Sequence, residues 1–152
     1  MLYCNITWGQ STQTLLNKIF KLQKRATRTI LNKPYKAHTA PLFKELSILN
    51  IYSINIYSKC LFMFDYVHGC LPKVFDGMFR YNHNVHNHST RHNDYFHLPF
   101  CRTEMSKNSI VYSGPYVFNK TMKNMSANNI YLTSKHIFKK SLLQHLLNEQ
   151  SH

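Results

Sequence analysis

The sequence predicts a mainly α fold: a small helical domain with a long polar loop and at most a short strand or hairpin. Three observations carry this. Apolar residues recur at helical spacing in residues 15–32, 51–68 and 134–146. Glycine supplies only 4 of 152 residues, few for the tight turns of a sheet-rich chain. Hydrophobic residues make up 43% and aromatics 14%, enough to build a core in a chain of one domain's length.

The elements follow in order. In residues 15–32, "LLNKIFKLQKRATRTILN", Leu15, Ile19, Leu22, Ala26 and Ile30 recur at helical steps, and Leu16 and Phe20 widen the stripe. That row is expected to face the core. Ser11 or Thr12 would cap the helix, and Asn32-Lys-Pro34 would end it. Thr39 with Pro41 starts a short helix, "APLFKEL". Residues 51–68 read as a long, mostly buried helix: Ile54, Tyr57, Leu61, Phe64 and Val67 or His68 hold the spacing, and Ile56, Cys60 and Met63 make it apolar on most sides. Gly69 fits its left-handed stop, and Leu71-Pro72 opens a turn. Residues 80–97, "RYNHNVHNHSTRHNDYFH", have no apolar period and read as a loop or extended arm. "NSIVYSGPYVFN" reads as a short strand, a Gly-Pro turn and an aromatic segment. Ser134 caps a last helix with Ile137, Phe138, Leu142, Leu143 and Leu146 inward and Lys135, Lys139 and Lys140 outside. The expected organisation is a helical segment 1–79, an Asn/His-rich arm 80–97 and an extension 98–152, together one compact unit.

Charge narrows the partner. Nineteen Lys and Arg stand against six acids, a formal charge of +13 spread from end to end. Nucleic acid is the expected partner of such a chain, ahead of a membrane surface. No uninterrupted apolar stretch approaches the roughly 18 residues of a membrane span. The opening "MLYCNITWGQ" lacks the layout of a signal peptide, so an intracellular place, in cytoplasm or nucleus, is expected. Lys18, Lys21, Arg25 and Arg28 form a second stripe on the first long helix, with Lys24 beside it. No acid occurs from Leu15 to Lys44, so the neutralising pairs of an ordinary solvated helix are absent. A polyanion would relieve the repulsion. Arg91, Lys135, Lys139 and Lys140 extend the set of candidate nucleic-acid contacts.

Catalysis has little to work with. No two of Glu45, Asp65, Asp76, Asp94, Glu104 and Glu149 are closer than ten residues, whereas metal-dependent phosphoryl transfer often draws on a local carboxylate pair. No catalytic residue, metal or other cofactor is therefore expected. Cys4, Cys60, Cys70 and Cys101 are scattered, without a CxxC. His83, His86, His88, His92 and His97 fit a solvated loop first, a nucleic-acid contact second and a metal site third.

The order of motifs carries a resemblance. "YCNITWG" (residues 3–9), "NKIFKLQKRATRTI" and "AHTAPLFKELSILNI" follow one another, then "CLPKVFDGMF", "HNHSTRHNDYFHLP", "SIVYSGPYVFNKTM" and "FKKSLLQHLL". This series resembles the region after the catalytic core in non-LTR, LINE-type (jockey/RTE-like) retrotransposon reverse transcriptases, over nearly the whole chain. Phe118 stands where the family usually carries Trp, and Met122 stands near a common Ile-Pro. In that family the fingers and palm, with their catalytic aspartates, precede "YCNxxWG". The resemblance therefore implies a noncatalytic thumb and post-thumb portion of an RNA-directed DNA polymerase. Its partners would be the upstream polymerase core and RNA, DNA or their hybrid, held by phosphates. A truncated, degenerate reading frame without selected activity is the alternative. A metal-dependent enzyme built on the His loop is the third.

Overall fold

A computed structural model describes residues 4–85, 92–125 and 134–150. Its α-helices are α1 (Asn5–Trp8), α2 (Gln13–Ile30), α3 (Ala40–Glu45), α4 (Ile51–Val67), α5 (Glu104–Asn108), α6 (Ile110–Met125) and α7 (Lys135–Glu149). Among the described residues there is no strand, only an isolated antiparallel bridge between Tyr81 and Phe96. The fold is mainly α, as the sequence predicts. No helix among those residues is long and apolar enough to cross a membrane. Two compact units divide the chain: Met1–Ser58 with Ser134–His152, and Lys59–Thr133. The arm 80–97 belongs to the second unit, and the extension 98–152 is shared between the two.

In the first unit, helix ends follow local chemistry. Asn32, at φ 48°, closes α2: its N–H donates to the Thr29 carbonyl (3.2 Å), and the Lys33 N–H to the Arg28 carbonyl (2.9 Å). This is the Schellman pattern, with Asn in the left-handed position. Thr12 stands before α2 but makes no capping bond, and the Ser11 hydroxyl donates to the Trp8 carbonyl instead, so neither expected cap forms. At the far end of the chain Ser134 does cap α7 through the Ile137 N–H.

The face that α2 buries differs from the expected one. Leu16, Gln23 and Thr27 are buried, whereas Leu15, Leu22 and Ile30 are 49%, 65% and 66% exposed and Ala26 is exposed as well. The start of α4 explains the shift. Gln23 Nε2 donates to the Leu49 carbonyl (2.8 Å), and Gln23 Oε1 accepts from the Ile51 N–H (2.9 Å). Asn50 caps α4 by accepting from the Ser53 N–H (2.9 Å), and its own N–H donates to Gln150 Oε1 (2.7 Å). A buried turn must have its backbone groups paired, and a glutamine on α2 meets that need where a leucine could not. The apolar arc of α2 is wide enough that half of it packs and half is left in water. Phe20, on the packed side, stacks on Phe43 (6.1 Å) and meets Tyr52 edge-on (5.3 Å). On α7, Phe138, Leu142 and Leu146 are buried as expected, but Ile137 is 59% exposed and Leu143 also reaches solvent. Phe138, Leu142 and Leu146 stand four residues apart in one row, and Ile137 and Leu143 fall on either side of it.

In the second unit the latter part of α4 ends as the sequence predicts. Gly69 has φ 63°, its N–H donates to the Tyr66 carbonyl (3.1 Å), and the Cys70 N–H donates to the Asp65 carbonyl (2.8 Å). The expected strand and Gly-Pro turn are instead the first half of α6, with Pro115 inside the helix. Gly114 lets that helix approach α4: a Cβ there would stand 3.1 Å from Met63 Sδ. Packing outweighs the proline's lost N–H bond. Nor is the arm a bare loop. The Asn82 N–H donates to the Tyr95 carbonyl (2.9 Å), and the His97 N–H donates to the Arg80 carbonyl (2.7 Å), making a small hairpin around the bridge. Phe96 anchors it, buried against Phe79 (6.1 Å), Phe118 (5.7 Å) and Tyr81 (4.5 Å). One aromatic residue in a polar stretch leaves no periodic trace.

Candidate nucleic-acid interface

The long helices α2 and α7 of the first unit carry all of the sequence-predicted cations except Arg91. On α2, Lys18, Lys21 and Arg25 are exposed. Their i, i+3, i+7 spacing sets them in a row about 10 Å long. None has an acidic partner among the described residues. The other two are partly engaged. Lys24 Nζ lies over the Phe20 ring at 4.2 Å, and Arg28 Nε donates to the Ala37 carbonyl (3.0 Å) while its guanidinium faces Tyr35 at 5.6 Å. Arg28 thus ties the loop after α2 to the helix and has less freedom to meet a phosphate.

On α7, Lys135 and Lys140 are exposed and Lys139 is half-buried. The structure does not gather these with Lys24. A small cleft of about 190 Å³ beside Lys24 is lined by Gln150, at the opposite end of α7. Ten residues separate Lys140 from Gln150, about 15 Å of helix. Arg91, His86 and His88 lie outside the described residues. His83 stacks on Tyr81 (5.4 Å) and His92 on Tyr95 (4.8 Å). Among the described residues no three His, Cys, Asp or Glu side chains converge as metal ligands do.

No known family model, curated protein or solved structure matches this chain. The chemistry of the interface therefore rests on its own residues.

A second cationic feature escaped the sequence reading. Asn82, His92, Tyr95, Leu98, Tyr116, Lys120 and Lys123 are among the residues lining a cleft of about 520 Å³ in the second unit. Read as a helix, "YVFNKTMK" sets Tyr116, Asn119, Lys120 and Lys123 at i, i+3, i+4 and i+7, one face of α6. Reading it as a turn hid that face. Asn119 joins the arm to the helix: its Nδ2 donates to the Phe96 carbonyl (2.8 Å), and its Oδ1 accepts from the Phe96 N–H (3.1 Å). That pair of bonds replaces a neighbouring strand.

Two titratable groups of the second unit serve the core. Burial pushes the Cys60 thiol up to about 12, against the opposing pull of the Thr121 hydrogen bond and the Lys59 charge. Burial also lowers the Lys59 ammonium.

Proposed function

We propose that this chain is a noncatalytic nucleic-acid-binding module of the reverse-transcriptase thumb and post-thumb type. It would brace a template–primer duplex through backbone phosphates. The observation that carries the reading is the exposed row Lys18, Lys21 and Arg25 on α2, without an acidic neighbour, in a chain of formal charge +13. Phosphates neutralise such a row and need no particular base sequence. The ordered motifs from "YCNITWG" to "FKKSLLQHLL" and the mainly helical fold are consistent with it.

The test is a salt titration of a labelled RNA–DNA hybrid. Three cations engaging three phosphates make log K fall against log salt with a slope of about −3 from α2 alone. Lys18→Gln, Lys21→Gln and Arg25→Gln together keep helix propensity, remove the charge and flatten the slope by about three, while Arg28 keeps its bond to the Ala37 carbonyl. Equal slopes for parent and variant reject α2 as the grip. A degenerate chain without selected activity is the second reading, favoured by the apolar row Leu15, Leu22 and Ile30 left in water. That reading expects a chain that is marginally stable or aggregates.

A further inference from the structure

We propose that the cleft of the second unit holds an unpaired nucleotide of a single strand, with its base against Tyr95 and Tyr116 and its phosphate at Lys120 and Lys123. This goes beyond the duplex grip of α2, which belongs to the other unit and reads only phosphates. Four features of the cleft define the ligand. Its volume, about 520 Å³, lies in the range of small-molecule and cofactor sites. No acid lines it, and Lys120 and Lys123, one turn apart on α6, have no ion pair among the described residues, so the occupant is anionic. Its aromatic rings are held by other aromatics: Tyr95 stacks on His92 at 4.8 Å, and Tyr116 stacks on Tyr112 at 6.0 Å. Rings already supported in this way present a fixed π surface to a flat ligand at small entropic cost.

The fourth feature is polar. Asn82 donates through Nδ2 to the His92 carbonyl (2.9 Å), which orients its Oδ1 as an acceptor for a base amino group. Tyr116 is 47% exposed, although its neighbours Pro115 and Phe118 on α6 are buried. Aromatic surface beside paired lysines in a concave site is the combination with which single-stranded nucleic acid is held: stacking for the base, charge for the backbone. A duplex cannot use it, because its bases are already stacked on one another.

The experiment compares a five-nucleotide single-stranded DNA with the same strand made abasic, binding each to the whole chain. The parent is expected to bind the base-containing strand about tenfold or more tightly than the abasic one. Tyr116→Leu keeps apolar bulk but removes one of the two π faces, and should lower that ratio severalfold, with Tyr95 holding the remainder. Lys120→Gln with Lys123→Gln should weaken both strands alike and leave the ratio in place. The α2 glutamine variant should also keep the parent's ratio, whether or not its grip on duplex is lost, so the two ideas fail separately. Equal binding of the two strands by the parent overturns the proposal without recourse to any variant. So does an unchanged ratio in folded Tyr116→Leu. A free nucleoside monophosphate that binds as tightly as the five-nucleotide strand overturns the assignment to a strand.

Discussion

Gln23 should matter more to stability than any exposed leucine on its own helix. Gln23→Met keeps the length and volume of the side chain but removes both of its hydrogen bonds. The Leu49 carbonyl and the Ile51 N–H, at 2.8 and 2.9 Å from the glutamine, then lose their partners in the buried start of α4. An unsatisfied buried polar group costs about 1–3 kcal/mol, so the pair costs about 2–6 kcal/mol, at the lower end if water enters. Leu22→Gln is the control. Burying a whole leucine contributes about 1.5–3 kcal/mol. Leu22 is 65% exposed. Only about a third of that contribution, some 0.5–1 kcal/mol, is therefore at stake. Urea unfolding followed by circular dichroism measures both variants, and amide exchange at Ile51 checks the site. A larger loss for Leu22→Gln than for Gln23→Met would refute the packing of α2 and restore the leucine stripe to the core.

Further outcomes are expected elsewhere. Asn119→Ala removes both bonds to the Phe96 backbone and should destabilise the hairpin by about 1–3 kcal/mol, read as faster exchange of the Phe96 amide. A normal exchange rate there would mean that the aromatic cluster alone holds the arm. At pH 8, exposed Cys4 and Cys70 should react rapidly with a thiol reagent, while Cys60 reacts only on unfolding, because it is buried and its thiol is pushed up to about 12. The folded value lies above the ordinary 9.0, so the protonated thiol's contribution is complete below about pH 9 and fades toward pH 12. The stability difference between the parent and Cys60→Ala should shrink across that window, and a difference independent of pH would contradict it.

Much of the architecture was legible in local chemistry. The Asn32 and Gly69 stops, the Thr39-Pro41 start and the Ser134 cap depend on residues adjacent to one another, and each helix end formed where those residues stand. The exposed cations Lys18, Lys21 and Arg25 were legible too, because their spacing places them on a face of α2 without an acidic neighbour. The 109–120 region was misread because Gly114 and Pro115 announce a turn when only the chain is considered. Next to Met63 the same glycine is what permits close packing. The face formed by Tyr116, Lys120 and Lys123 vanished from view with that helix.

Which half of an apolar arc is buried, and which isolated residues join the core, depends on the packing of distant parts of the chain. Local pattern was enough to make residues 15–32 an amphipathic, strongly basic helix. It could not say that Gln23 and Thr27 face inward while Leu22 and Ile30 face water. The same limit hid Phe96 in its polar arm and the pairing of Asn119 with the Phe96 backbone. Periodicity reports where apolar side chains are available. A buried turn elsewhere in the chain, with backbone groups that must be paired, determines which of them are used.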